Sequence, residues 1–198
     1  MKRALGVLLL AIGVAVSTMW AGPAAQAAAA KVFKLTSPGH RDNSVMALKN
    51  SCANKSNPNC VGENVSPPLE WSDVPDGTKS FALLIYDPEA RAGLGFSQLV
   101  IYGIPASVTS LAEGAISQAS PNFVGGKNQR GISIYNGPGT PPGVGYHHYV
   151  FTLIATDLDP KALPPGLSRD ELLAKLEGHT KAAAGLILRF KHPSSRRR

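Results

Sequence analysis

The sequence lacks the features that define several common classes of protein. Its only cysteines are Cys52 and Cys60. With no second pair and no nearby histidine, they do not form the four-ligand set that zinc requires. The N-terminal apolar run from Ala4 to Val16 is shorter than the roughly 18 to 20 residues of a transmembrane helix. No serine lies in a nucleophile-elbow motif. These absences argue against a structural zinc protein, an integral membrane protein and a typical serine hydrolase.

The N-terminus has the layout of a secretory signal. Lys2 and Arg3 precede the apolar run, and Ala24 to Ala27 offers small residues at the positions read by signal peptidase. We therefore predict that residues 1–28 are a cleaved signal peptide and that the protein is periplasmic or secreted. A retained anchor is the alternative, which the short apolar run disfavours.

The chain that remains after cleavage has the size of one domain. About 170 residues can bury a single core but not two comfortable ones, so we predict one domain over residues 29–192. Loss of Lys2 and Arg3 leaves 18 basic side chains against 13 acidic ones, a net charge of +5. Residues 193–198 end in three arginines and are predicted to be a solvated basic tail, with contact to an anionic surface as the alternative.

The two cysteines are predicted to pair. Cys52 and Cys60 flank a short polar stretch in a chain that is expected to leave the reducing cytosol, and a disulfide there would pin the loop. We predict no metal site and no cofactor.

Continuous apolar runs bounded by turn residues predict buried β-strands. A Ser168/Glu171 capping box predicts one helix, which we expect to end at Gly185. The Gly- and Pro-rich region between residues 106 and 146 is expected to be a functional rim that contains one short strand, Gly131–Tyr135. The fold class is therefore mainly β, an antiparallel sandwich with few helices. The other predicted strands lie at 31–35, 80–86, 99–102, 149–156 and 186–190.

One group of titratable side chains lies where predicted strands meet loops. Asp87 and Glu89 follow one apolar run, and His147, His148 and Tyr149 begin another. Side chains at such ends are fixed by the strand while the loop leaves room for a ligand. Adjacent strand residues point to opposite faces, so only one of the two histidines can face a pocket.

Four motifs stand out in the sequence. They are Asn64-Val65-Ser66-Pro67-Pro68-Leu69-Glu70-Trp71, Asp87-Pro88-Glu89-Ala90, the loop from Gly137 to Gly143, and His147-His148-Tyr149. Taken together, they closely resemble the phosphatidylethanolamine-binding protein family, in its bacterial Raf kinase inhibitor-like branch. The resemblance covers nearly all of the mature chain, in order and spacing, and includes Gly178-His179 on the predicted helix. It implies two antiparallel β-sheets with peripheral helices and an edge cavity for phosphate-like anions.

The resemblance assigns ligand-binding roles to particular residues. Asp87 and Glu89 match the two acidic residues of the family's Asp-Pro-Asp-x-Pro motif. His147 and Tyr149 match its His-x-Tyr motif. A histidine N–H and a tyrosine hydroxyl can donate to an anion, and an ionised aspartate can orient the histidine or pair with a ligand ammonium group.

Two further matches and two departures concern the same pocket. Pro141 and Pro142 match the proline pair at its mouth. Where the family pattern has a second pocket histidine, this chain has Gln98, which keeps an amide donor but carries no charge. Arg91 replaces the last proline of the Asp-Pro motif and is predicted to supply a positive charge at the rim. The pocket is expected to persist in shape while its preference for phosphate changes.

These observations lead to three functional hypotheses. The first is a non-enzymatic binding protein for a small phosphate-like or phosphoethanolamine-like ligand, with no nucleic-acid partner. The second is an inhibitor or modulator that contacts a secreted or envelope hydrolase, a protein partner, through its loops. The third is a hydrolase with His147 as base, Asp87 as its orienting group and Ser97 as the nearby nucleophile.

Overall fold

The computed structural model describes residues 31–193. The signal peptide predicted for residues 1–28 and all but the first residue of the basic tail lie outside this range, and both stay predictions. Within it, no helix has the length and apolarity to cross a lipid bilayer. The elements are β1 (Lys34–Thr36), β2 (Ser44–Val45), a 3-10 turn (Leu48–Asn50), β3 (Leu69–Ser72), β4 (Ser80–Asp87), α1 (Ala90–Gly93), β5 (Phe96–Pro105), β6 (Ser110–Leu111), β7 (Val124–Gly125), β8 (His147–Thr156), α2 (Arg169–Leu176) and β9 (Thr180–Phe190).

Nine strands of the described range form two sheets. The smaller sheet has the order β1-β3-β6, and the larger has the order β2-β9-β8-β4-β5-β7. Every pair is antiparallel except β2 with β9. The predicted mainly β class is confirmed. The larger sheet is mixed and the sheets are open, so the word sandwich fits only loosely.

The core lies between the two sheets. Aromatic side chains join them: Phe33 stacks on Phe81 at 6.1 Å between ring centroids, and Trp71 meets the same ring edge-on at 5.4 Å. Phe81 is fully buried in the middle of the larger sheet. Edge-to-face and offset pairs of this kind add to the gain from burial alone, so they hold the smaller sheet in place.

The opposite face of the larger sheet is covered by α2. Leu172 and Leu176 of the helix are buried against Leu84 and Val100 of the central strands. The alternating faces of β4 and β5 therefore feed two separate apolar clusters. This explains why both strands appear in the sequence as continuous apolar runs rather than alternating ones.

The helix α2 begins where the capping box predicts, but it ends earlier than predicted. Ser168 Oγ accepts from the Glu171 N–H at 3.3 Å, and the Glu171 carboxylate accepts from the Ser168 N–H at 2.8 Å. The helix stops at Leu176, not at Gly185, and His179 lies in the following turn rather than on the helix. The segment Thr180–Phe190 pairs with β8 along its whole length, which overrides the helix propensity of its alanines.

The prediction of a short strand at Gly131–Tyr135 is also wrong. The short strand of this region is β7, which lies earlier in the chain. Asn128 Oδ1 accepts from the N–H groups of Arg130 and Ile132 at 2.8 and 2.9 Å. A side chain that binds neighbouring backbone groups in this way favours a turn over a strand.

The polar region before β3 folds back onto the body of the domain. The predicted Cys52–Cys60 disulfide is present. Next to it, Ser51 Oγ and the Cys52 N–H both donate to the carbonyl of Pro138, at 2.7 and 3.0 Å. The disulfide loop is thereby joined to the Gly- and Pro-rich loop that precedes β8.

Candidate functional site

Two strand ends of the larger sheet bring the acidic motif and the histidine motif together. Asp87 ends β4, His147 begins β8, and the two strands pair antiparallel with Tyr86 opposite Val150. The Asp87 carboxylate is buried, and its Oδ2 lies 2.9 Å from Nδ1 of His147. The sheet therefore brings together the two residues on which the sequence-based prediction of the site depends.

The Asp87 carboxylate has two separate tasks. Its Oδ1 accepts from the N–H groups of Glu89 and Ala90 at 3.1 and 3.0 Å, which makes the turn after β4. Its Oδ2 accepts from His147. An ionised carboxylate only accepts hydrogen bonds, so the hydrogen lies on Nδ1 of the imidazole, and Nε2 is left for a ligand.

A cavity of about 460 Å³ opens in front of this pair. Its wall carries charges of both signs together with a neutral amide and apolar groups. Most of the residues predicted as ligand-binding lie on it: Asp87, Glu89, Arg91, Gln98, Pro141 and His147. Their role in binding stays a prediction.

Gln98 reaches the cavity because of a β-bulge. In the pairing of β4 with β5, Ile85 lies opposite Leu99 and Tyr86 lies opposite Ser97, so Gln98 is an extra residue without a direct partner. Strict alternation would place Gln98 and Leu99 on opposite faces of the sheet. A bulge changes the direction of one side chain, and Gln98 lines the cavity together with Asp87 and His147.

The Gln98 amide is oriented by a neighbour that the sequence analysis missed. Nδ2 of Asn136 donates to Gln98 Oε1 at 2.8 Å. With its oxygen engaged, Gln98 has its NH₂ group free to donate, since this group has no partner among residues 31–193. The neighbouring Gly137 N–H is held by Asn64 Oδ1 at 2.8 Å, which fixes the loop that carries Asn136.

Arg91 has a backbone conformation that explains one departure from the family pattern. Arg91 and Ala92 have φ angles of 56° and 59°, in the left-handed region that side chains other than glycine disfavour. Proline fixes φ near −65° and cannot adopt this turn. The chain therefore has a different turn here, and this turn places the exposed Arg91 on the cavity rim.

Two of the predicted ligand residues do not lie on the cavity wall. Tyr149 is buried behind it, and its hydroxyl lies 2.9 Å from Thr140 Oγ1. Burial, and then the nearby Asp87 carboxylate, raise the pKa of Tyr149, so its hydroxyl stays protonated. Pro142 is exposed and does not line the cavity. Pro141 is the residue of the proline pair that lines the cavity. The predicted roles of Tyr149 and Pro142 in ligand binding stay predictions.

Glu89 is paired with the second histidine. Its carboxylate accepts from the His148 backbone N–H at 3.1 Å and lies 2.7 Å from His148 Nδ1. Burial alone would raise the pKa of Glu89, but these hydrogen bonds outweigh it and the pKa lies below its ordinary value. His148 thus turns away from the cavity that His147 faces.

Arg130 is the main cavity residue that the sequence analysis missed. Its guanidinium lies 5.4 Å from the ring centroid of Phe96, and both residues line the cavity. The Phe96 ring holds the cation at the wall. Arg130 lies in the loop between β7 and β8, where the sequence has no periodic pattern that predicts where a side chain lies. The only signal was the Gly-rich composition of this region, which predicted a functional rim.

The structure thus combines a mainly β fold with an edge cavity whose wall carries a buried Asp–His pair and two arginines. The chain belongs to the phosphatidylethanolamine-binding protein family, whose model matches residues 36–191. The resemblance seen in the four motifs is thereby confirmed, including the bacterial branch.

Individual relatives agree with this assignment. A UPF0098 protein of Aquifex aeolicus is 39% identical over 134 residues, which cover 67% of this chain and 77% of the relative. The crystal structure of Escherichia coli YbcL, a member of the mammalian PEBP family, matches with a TM-score of 0.72 and 29% identity, over 81% of this chain and 98% of YbcL. The PEBP homologue CT736 of Chlamydia trachomatis matches with a TM-score of 0.69 and 30% identity, over 82% of this chain and 99% of CT736.

Proposed function

We propose that the protein is an exported, non-enzymatic binding protein whose edge cavity takes a small phosphate-like anion, either free or as a phosphoethanolamine-like headgroup. The proposal rests on the hydrogen-bond donors of the residues that line the cavity. The guanidinium groups of Arg91 and Arg130, Nε2 of His147 and the NH₂ group of Gln98 all belong to residues on it. Charged donors of this kind bind phosphate oxygens strongly.

The acidic side of the cavity favours a ligand with a positive group or a proton. The Asp87 carboxylate is fully engaged with its own turn and with His147, which spreads its charge over three donors. Glu89 remains at the wall and can accept from an ammonium group. A phosphoethanolamine-like ligand would place its phosphate near the arginines and its ammonium group near this carboxylate.

Calorimetric titration with phosphate and with phosphoethanolamine tests the proposal. Hydrogen bonds to charged groups contribute about 1.5–3 kcal/mol, so His147→Ala and Arg130→Ala are each expected to weaken binding by roughly 10- to 150-fold. Arg41→Ala is the matched control, because Arg41 is exposed and does not line the cavity. Failure of both ligands to bind the wild type at about 10 mM, the weak end of measurable affinity, would overturn the proposal.

The position of Ser97 supports a non-enzymatic role. As the nearby candidate nucleophile, Ser97 would need its hydroxyl within hydrogen-bond reach of His147. It lines a different cavity from His147. Turnover of a generic ester panel that disappears in His147→Ala would contradict this part of the proposal.

Export is proposed from the N-terminal signal pattern and the disulfide. Disulfides persist in oxidising compartments, and the Cys52–Cys60 bridge supports an extracytoplasmic location. Cell fractionation with intact-mass analysis is the test, with cleavage expected near Ala27 to Ala30. A full-length protein in the cytoplasmic fraction would contradict it.

A second candidate function is modulation of a secreted or envelope hydrolase through the loop before β8. The observation in its favour is a pair of exposed apolar side chains there, Val144 at 45% and Tyr146 at 37% exposure, since exposed apolar patches mark protein contacts. Pull-down from culture extract with wild type and with Val144→Ser/Tyr146→Ser distinguishes the two functions. A partner held equally well by both proteins would argue against this loop.

A further inference from the structure

A second cavity lies on the other face of the larger sheet. Its volume is about 280 Å³, and it lies between the ends of β4 and β5 and the start of α2. Tyr86 and Ser97, which pair across the two strands, both line it. The Asp87 and Gln98 side chains next to them in sequence line the first cavity instead. Neighbouring residues of β5 thus form the floors of two separate cavities.

Two cations reach this second cavity from different elements. The Lys127 N–H donates to the Leu167 carbonyl at 2.8 Å, and Lys127 pairs with Ser168 in an isolated parallel bridge. These bonds hold Lys127 beside the helix start. The guanidinium of Arg169 lies 5.1 Å from the ring centroid of Tyr86, a contact that keeps the cation at the wall.

The first turn of α2 adds a backbone donor. In the capping box, the N–H groups of Ser168 and Glu171 are already used. The Arg169 N–H faces the Lys127 carbonyl in the parallel bridge. The Asp170 N–H has no hydrogen-bond partner within the described residues, and Asp170 lines the cavity. Free N–H groups and the positive end of the helix dipole attract anions.

An independent observation at the floor also points to a ligand. Ser97 is only 4% exposed, and its Oγ has no hydrogen-bond partner among residues 31–193. Its backbone N–H donates to Gln129 Oε1 at 3.1 Å, so the hydroxyl is the donor of Ser97 that remains unpaired. A buried hydroxyl left unpaired costs free energy, and the entry of a hydrogen-bonding group removes that cost.

The acidic groups at the helix start are already paired. The Glu171 carboxylate accepts from both the N–H and the hydroxyl of Ser168, at 2.8 Å each. The Asp170 carboxylate is 91% exposed and lies 3.1 Å from Arg169 Nη1. Lys127, in contrast, lines the cavity and forms no ion pair with the described residues, so its charge is free to meet an anion at the wall.

We propose that this second cavity is an anion site that binds a tetrahedral oxyanion, the phosphate or sulfate group of a small ligand, through the side chains of Lys127 and Arg169, the free Asp170 N–H and the Ser97 hydroxyl. The site is separate from the Asp87–His147 cavity and does not depend on it.

Amide NMR shifts during titration with sodium phosphate, and separately with sodium sulfate, test the site at constant ionic strength. The expected result is saturable shifts at the Ser97, Lys127, Arg169 and Asp170 amides with both anions. Lys127→Met is expected to weaken this response at least 10-fold, and Lys127→Arg to retain it. Lys161→Met, which removes an exposed cation away from the cavity, is the matched control.

The outcomes separate this site from the first cavity. Shifts at Gln98, Gly137 and His147 report the first cavity, and they should persist in Lys127→Met. Absence of saturable shifts at the helix start, or an unchanged response in Lys127→Met, would overturn the second site whatever the first one does. Ser97→Ala should weaken binding at the helix start by several-fold. An unchanged affinity would show that the Ser97 hydroxyl does not bind the anion.

Discussion

At the scale of single residues, Arg91 shows how one backbone angle decides which side chains a site accepts. Its φ of 56° is outside the range of proline. Arg91→Pro, which would restore the family pattern, is therefore expected to lower the free energy of unfolding by about 2 to 3 kcal/mol, because the whole turn must rearrange. Urea denaturation measures this loss.

The control for Arg91→Pro is Arg91→Gly. Glycine adopts positive φ without strain but raises the entropy of the unfolded chain, so its stability is expected to stay within about 0.5 kcal/mol of the wild type. Equal losses in both variants would show that the arginine side chain, not the turn, is the source of the stability.

The pairing of Glu89 with His148 predicts a dependence of stability on pH. Because the pKa of Glu89 is lowered in the folded protein, its carboxylate stabilises the fold above the ordinary glutamate pKa of about 4.3. This contribution is lost as the pH falls through the lower, folded value. The side chain is 40% exposed, so the effect stays below about 1 kcal/mol.

Comparison of wild type with Glu89→Gln between about pH 3 and pH 6 measures this effect, over the range in which a glutamate titrates. The difference in the free energy of unfolding should be largest at the upper end and vanish at the lower end. Gln118→Ala, an uncharged and exposed change, should give a difference that does not vary with pH. A difference that grows on acidification would contradict the pairing.

At the scale of structural elements, the disulfide loop supports the first cavity as well as the fold. Cys52 lines that cavity, and the bridge spans a sequence separation of 8. The chain-entropy estimate for a loop of this length is about 2.5 kcal/mol. The double variant Cys52→Ser/Cys60→Ser is therefore expected to lose about that much stability and to bind phosphate more weakly.

Denaturation with and without a reducing agent separates the bridge from the side chains. Reduced wild type should match the double variant, and the variant itself should not respond to the reducing agent. A reduced wild type that keeps its full stability would mean that the contacts of Ser51 and Cys52 with Pro138 hold the loop without the bridge.

Elements were predictable where local pattern and tertiary pairing agree. The apolar run that became β4 is bounded by turn residues and is buried as expected, and the Ser168 capping box marks the true start of α2. Thr180–Ala184 misled the prediction, because its alanines suit a helix while their position opposite β8 makes them a strand. Local sequence carries no information about that partner.

At the scale of the whole molecule, the mainly β class, the family and the pairing of Asp87 with His147 followed from motifs at strand ends. Arg130 and Asn136 did not, because both lie in loops whose course is set by distant contacts such as that of Gly137 with Asn64. The hydrogen bond between the hydroxyl groups of Tyr149 and Thr140 was not predictable for a related reason, because Thr140 lies in the same loop region.

The bulge at Gln98 bears on how such a protein can diverge. A side chain with no cross-strand partner can be exchanged without disturbing the pairs on either side of it, here Tyr86 with Ser97 and Ile85 with Leu99. Exchange of Gln98 is therefore expected to change the chemistry of the cavity while the register of β4 with β5 is kept. The new side chain would have to supply a partner for Asn136, whose Nδ2 now donates to Gln98 Oε1.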